Sequence, residues 1–180
     1  MPGPAIIIVA VIVFLLVVYV IATYNGLIKL RNKVNDQWSQ IDVELKRRFD
    51  LIPNLVNTVK GYAKHETETL ENVVKARNTY LSAGTREAAM DADNMLTNAV
   101  NKLFALAESY PELKANENFR DLQASLQDTE DKISFARKFY NDTALQLNNK
   151  VEMFPSNIVA KLFHFNKLSY KSRLNIYINS

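Results

Sequence analysis

Residues 5–49 read AIIIVAVIVFLLVVYVIATYNGLIKLRNKVNDQWSQIDVELKRRF, and the two halves of this stretch follow different rules. Residues 5–22 are an unbroken run of 18 apolar side chains. As a helix at ~1.5 Å per residue the run extends roughly 27 Å, enough for a hydrocarbon core of about 30 Å with slight thinning. From Leu27 onward the apolar residues recur at every third or fourth position: Leu27, Leu30, Val34, Trp38, Ile41, Leu45 and Phe49. That spacing lays them along one face of one helix. A transmembrane helix continuing into an amphipathic one is therefore the expectation. A cleaved leader is the competing reading, since Val20 and Ala22 are of a kind that precedes a cut. Against it, residues 1–4 carry no Lys or Arg, and the helical pattern passes straight through the supposed cut. The nearby cations, Lys29, Arg31 and Lys33, all follow the run, so the positive-inside rule places the N-terminus outside and the remainder in the cytoplasm.

Working outward, the pattern breaks at RRFDLIP, residues 47–53. Asp50 suits the cap of a new helix, and Pro53 suits its first turn, where a missing amide costs no intrahelical bond. The second helix is expected to bury Ile52, Val56, Val59, Ala63, Leu70, Val73, Val74, Arg77 and Leu81, and to close where Gly84 takes the left-handed conformation. Thr85 caps a third, with an alanine-rich stripe through Ala89, Ala92, Leu96, Ala99, Val100, Leu103, Phe104 and Ala107. SYPE, residues 109–112, starts a short turn of helix. Asn116 then caps the longest downstream helix, residues 117 to about 149, with Phe119, Leu122, Leu126, Ile133, Ala136, Tyr140, Ala144 and Leu147 on its inner face. Pro155 ends that pattern, and residues 156–163 form a last short helix. Strand-like alternation occurs only in NIYIN, residues 175–179, too short for a sheet. The fold class is all-α: an N-terminal transmembrane helix (residues 1–24), an antiparallel up-down bundle of long helices (25–155), then a short helix and basic aromatic tail (156–180). Four passes return the chain to the membrane, so the tail should lie beside the bilayer.

The composition excludes several chemistries. With no cysteine there is no disulfide, thiolate metal site or cysteine nucleophile, and none of the four glycines forms a GxG phosphate loop. The net charge of +3 is concentrated in residues 156–180, which hold Lys161, Lys167, Lys171 and Arg173 and no acid. The body is close to neutral, so a nucleic-acid footprint is absent. A di-iron bundle site needs Glu-x-x-His, yet Tyr62 and Lys161 stand three residues before His65 and His164. His65 reads as a solvated side chain. Asp128, Glu130 and Asp131 lack calcium-loop spacing and suit pairing with Lys132, Arg120 or Arg137. Lys46, Arg47 and Arg48 suit the C-terminal dipole of the first helix, with recruitment of an acidic partner as the alternative. Asn54 and Asn57 suit a turn or an interhelical hydrogen bond, and Trp38 a core anchor, with an oligomer contact second. No catalytic, cofactor-binding or metal-binding set is expected. Lys161, Lys167, Lys171 and Arg173, among Phe163, Phe165, Tyr170 and Tyr177, are candidate lipid-headgroup contacts, a solvated end being the alternative.

Three strings carry a resemblance: residues 24–77 (YNGLIKLRNKVNDQWSQIDVELKRRFDLIPNLVNTVKGYAKHETETLENVVKAR), 103–142 (LFALAESYPELKANENFRDLQASLQDTEDKISFARKFYND) and 154–163 (FPSNIVAKLF). Together, and above all in RRFDLIPNLV and YPELKANENF, the sequence resembles the bacterial LemA family. The resemblance implies a membrane-anchored, mainly helical bacterial protein without assigned enzymatic activity. Some relatives are associated with magnetosome membrane formation, and others lie beside genes for membrane proteases. The basic ending NKLSYKSRLNIYINS departs from the glycine-containing segment and acidic stretch common in that family. The expected function is a non-enzymatic scaffold, single-pass in the bacterial inner membrane, that self-associates to organise or remodel it. The alternative is an adapter or regulator of a membrane partner such as a protease or envelope sensor. The expected partners are lipid, further copies of the chain and a membrane protein, with no cofactor and no nucleic acid.

Overall fold

Helix α1 runs without interruption over Pro4–Lys60, so the apolar run and the amphipathic stretch beyond it are one element. The computed structural model describes residues 3–168; Lys171, Arg173, Tyr170, Tyr177 and the NIYIN string lie outside the described residues. After α1 come α2 (Thr67–Leu81), α3 (Arg86–Ala107), the single turn α4 (Pro111–Ala115), α5 (Glu117–Glu152) and α6 (Ser156–Leu162). The described residues contain no strand, and the all-α expectation holds.

The expected break at Asp50 does not occur, and the reason lies in α2. Pro53 has no N–H to give to the carbonyl of Phe49 four residues earlier, which in a helix interior costs about 3 kcal/mol. Arg77 of α2 donates its Nε–H to that carbonyl at 3.3 Å, replacing part of what proline removes. The Phe49 ring stacks on Tyr80 with centroids 3.9 Å apart and planes 4° from parallel, holding α2 against this turn. The reversal comes instead over residues 61–66, where Ala63 turns inward and is buried.

The other termini follow local chemistry. Thr85 accepts the Ala88 N–H at 3.1 Å and Asn116 accepts the Phe119 N–H at 2.9 Å, so both expected caps are present. Gly84 does not adopt a positive φ; the Ser82 N–H and hydroxyl close the end of α2 on the Asn78 carbonyl. Val74 and Leu81, expected inside, are exposed, because α2 buries a narrower stripe of Leu70, Val73 and Ala76.

The chain divides into two compact units, residues 39–137 and residues 1–38 with 138–180. In the first, Ile41, Leu45, Phe49, Ile52 and Leu55 of α1 are buried, as are Leu96 and Leu103 of α3 and Leu122, Leu126 and Ile133 of α5. Here α1 and α5 run antiparallel: Asn118 donates to the Thr58 hydroxyl at 3.2 Å, while Arg47 reaches Asp128 at 3.3 Å. In the second unit the same two helices are again antiparallel, with Trp38 edge-on to Tyr140 at 5.8 Å and Lys150 over Gly26. Ala136, expected on the inner face of α5, and Trp38 are half-buried, whereas Leu27, Val34, Tyr140, Ala144 and Leu147 are buried. Residues 4–19 are exposed all round, and burial begins at Thr23. α1 is the one helix among the described residues long and apolar enough to cross a membrane, and none of its most apolar window is covered by protein.

Candidate functional site

Where the apolar run of α1 ends, the chain builds a cluster of aromatic and basic side chains. Tyr24 is two residues past the run. Its ring lies 4.7 Å from that of Phe163 and 5.9 Å, edge-on, from that of Phe165, both contributed by the chain following Pro155. The Arg31 guanidinium sits 5.5 Å over the Phe165 ring, an attraction between cation and ring face. The side-chain amide of Asn148 clamps the same segment at both main-chain groups of Leu168: its Nδ2 donates to the carbonyl and its Oδ1 accepts the N–H, each at 2.8 Å. Val159 and Ala160 pack inward. Of the expected headgroup contacts, Lys161 is exposed on α6, and Lys167 is exposed and ion-paired with Glu152. A lysine-bearing aromatic surface thus stands at the foot of the apolar helix. Its cations and ring faces are groups suited to ionic attraction and apolar contact.

The unit of residues 39–137 holds the strongest electrostatics. Arg48 is 1% exposed and donates to Asp93 at 2.6 Å, to Thr97 at 3.0 Å and to Glu130 at 3.2 Å. The second oxygen of Asp93 receives Arg137 at 3.0 Å, and Arg137 also bonds Asn94 and the Met90 carbonyl. Two arginines face two carboxylates, so the charges cancel, and the cluster ties α1, α3 and α5 together. Arg48 is therefore not a cation at a helix terminus, as its place in KRR suggested, because α1 continues a further 12 residues to Lys60. Asp93 is absent from the sequence expectations, and the signal that marks it is its place on the alanine stripe, four residues after Ala89 and three before Leu96. A buried carboxylate demands a partner, and that partner sits 45 residues away in sequence.

The surface acids are ordinary by comparison. Asp128 takes hydrogen bonds from Lys132 at 2.9 Å and Arg47 at 3.3 Å, and the Lys132 bond foremost holds its carboxyl below the usual range. Glu130 pairs with Arg48 and Asp131 accepts from Gln127, rather than either engaging Arg120. Burial first, then the neighbouring Asp42, raises the Tyr80 hydroxyl above its usual range, and the bond to Glu66 does so for Tyr110. His65 is exposed in the turn after α1, and Asn54 and Asn57 are exposed. An open groove of about 590 Å³ runs between the end of α1 and α2. Val56, Leu70 and Val74 line it, with Lys60, Lys64 and Lys75 against a single acid, Glu71.

Residues 37–173 match the LemA family. The magnetosome protein MamQ of Magnetospirillum gryphiswaldense is 23% identical over 197 residues, covering 93% of this chain and 72% of that protein. Magnetosome protein MamQ 2 of Paramagnetospirillum magneticum is 25% identical over 190 residues, covering 89% of this chain and 70% of that one. Protein LemA of Metamycoplasma hominis is 25% identical over 138 residues, covering 76% and 63% respectively.

Proposed function

The chain belongs to the LemA family, and we propose that it is a non-enzymatic, membrane-anchored helical scaffold that self-associates to organise or remodel the bacterial inner membrane. The observation that carries this reading is the continuity of α1 past the end of the apolar run: the helix that is bare over residues 4–19 has Thr23, Leu27 and Val34 buried shortly beyond. A flexible linker at that boundary would let the anchor and the packed remainder of its own unit reorient independently. A continuous helix with packed side chains makes the tilt of one the tilt of the other. Confinement to a membrane also raises local concentration, so lateral contacts that are weak in solution suffice for assembly. Copies standing side by side then impose their angle on the lipid. The family names of the relatives, two of them magnetosome proteins, are in keeping with a membrane role.

The test is to image full-length protein in lipid. The scaffold forms high-order particles, residues 25–180 alone stay small, and a Gly/Ser insertion after Tyr24 changes particle shape while the bundle remains folded. Full-length protein that stays monomeric at high density, or an insertion without effect, overturns it. The orientation belongs to the same proposal: Lys29, Arg31 and Lys33, all following the apolar run, support an N-terminus outside, and the expected outcome is that protease added to spheroplasts leaves residues 25–180 uncut.

The groove between the end of α1 and α2 favours a second reading, that of an adapter. Its apolar lining and three lysines fit an acidic, partly apolar segment of a membrane partner. Monomers or dimers in lipid, together with a partner whose binding is lost on Lys60→Glu and Lys75→Glu, favour that reading over the scaffold.

A further inference from the structure

The cluster at the foot of the apolar helix leaves one face uncovered. Ile158 is 59% and Leu162 64% exposed, four residues apart on α6, and in the turn before it Met153 is 62% and Phe154 80% exposed. Ile158 and Leu162 share one side of α6. Its other side, at Val159 and Ala160, is buried, so α6 is already fixed to the protein and presents apolar side chains outward by construction. Elsewhere among the described residues, the longest exposed apolar series is the membrane-crossing run itself, from Ile6 to Ile21.

The position of α6 says what covers it. Phe163, the residue that ends α6, rests on Tyr24 at 4.7 Å. Tyr24 is only ~3 Å along the helix axis from the last residue of the apolar run. The headgroup zone on one side of a bilayer is about 5 to 8 Å deep, so α6 meets it where α1 leaves the hydrocarbon. Charge agrees: Lys161 is exposed beside Leu162, and Lys150 lies against Gly26, two residues after Tyr24. Cations around an apolar face at this depth match anionic headgroups above acyl chains.

We infer that α6, with the turn that precedes it, is an in-plane wedge: Ile158 and Leu162 of the helix and Phe154 of the turn insert into the headgroup–acyl boundary of the leaflet from which α1 emerges. The inference deepens the scaffold reading and rests on α1 crossing the membrane. The chain then holds its leaflet at two places, a spanning helix and a short surface helix clamped to it by Tyr24 and Phe163. Because the wedge occupies one leaflet only, it expands that leaflet's interface and gives each copy a preferred local curvature.

The protein has no cysteine, so single-cysteine variants of the full chain report one position each. Ile158→Cys, Leu162→Cys, Leu15→Cys in the apolar run and Lys102→Cys on the exposed side of α3 are labelled with an environment-sensitive dye. They are reconstituted in phosphatidylcholine–phosphatidylglycerol vesicles carrying nitroxide lipids. The wedge predicts blue-shifted emission at 158 and 162, quenched several-fold more than at 102 by nitroxides near the headgroup. Leu15→Cys is instead quenched best by deep nitroxides. If Leu15→Cys is quenched but 158 and 162 respond to aqueous iodide as Lys102→Cys does, the wedge is overturned while the anchor stands. If Leu15→Cys is not quenched either, the membrane-spanning reading falls and the wedge with it. A blue shift at 158 and 162 without lipid quenching means a second copy covers the face, and this too overturns the wedge.

Discussion

The two units of the chain treat their surfaces in opposite ways. The unit of residues 39–137 hides charge: Arg48 and Asp93 are almost wholly buried, each needing the other. The unit of residues 1–38 and 138–180 displays apolar surface, along α1 to Ala22 and again at Phe154, Ile158 and Leu162. Water penalises both arrangements when they are incomplete. Buried charge is made tolerable by partners within the chain, whereas exposed apolar surface needs a partner from outside it. Losing a side chain should therefore cost folding stability in the first unit and membrane behaviour in the second.

The largest expected break is Asp93→Ala. It leaves Arg48 and Arg137 sharing Glu130 alone among the acids of the cluster, and should cost about 3 to 5 kcal/mol. Denaturant unfolding in detergent measures it. A loss below about 1 kcal/mol would mean that the pair is solvated in solution. Next is the apolar core of the same unit: Leu126, 1% exposed, should cost about 2 to 5 kcal/mol on truncation to Ala, while the exposed neighbour Gln127→Ala stays near neutral. Equal melting temperatures for the two variants would mean that the face of α5 is misassigned.

A double-mutant cycle sharpens the point at Pro53. Arg77→Ala should cost on the order of 1 to 2 kcal/mol, since it strands the Phe49 carbonyl. In a Pro53→Ala background the helix restores its own donor, and the same substitution should cost clearly less. Equal costs in both backgrounds would separate Arg77 from the proline.

A smaller effect comes with acid. The folded-state pKa of Asp128 is depressed, so its contribution is present above the unfolded value and fades as pH falls through the folded one. Asp128→Asn should therefore lower stability slightly at pH 7, and the difference from the parent should shrink away as the pH falls below about 4. The smallest effect tests the other unit. Ile158→Ser in detergent should leave the melting temperature almost unmoved, because that side chain touches little protein. A large drop would make α6 part of a protein core.

Most of the fold was legible because it is written in short-range chemistry. Thr85 and Asn116 bond their own first turns, and the spacing from Leu122 to Leu147 marks the inner face of α5 without reference to any other element. The continuity of α1 was not legible in that way. Asp50 and Pro53 locally read as a helix start, and the compensating donor, Arg77, arrives from 28 residues away. Arg77 was visible as a cation within an apolar stripe, and that mismatch is the trace such a compensation leaves. The Arg48–Asp93 pair was hidden for the same reason, its halves split between a basic triplet and an alanine-rich helix. At the membrane-proximal cluster, the cations and aromatics were legible as a composition. Their meeting with Tyr24 was not, because it joins residues separated by most of the chain.

The Asn148 clamp has an evolutionary corollary. It grips Leu168 only through the main-chain N–H and C=O, groups that every residue except proline can offer. The path of the chain after α6 is thereby fixed without reading the side chain at that site. Substitution at position 168 can drift without changing these two bonds, whereas Asn148 has no such freedom: an aspartate there lacks the donor and a leucine lacks both partners. Geometry is inherited through one residue while its neighbour's identity is released to vary.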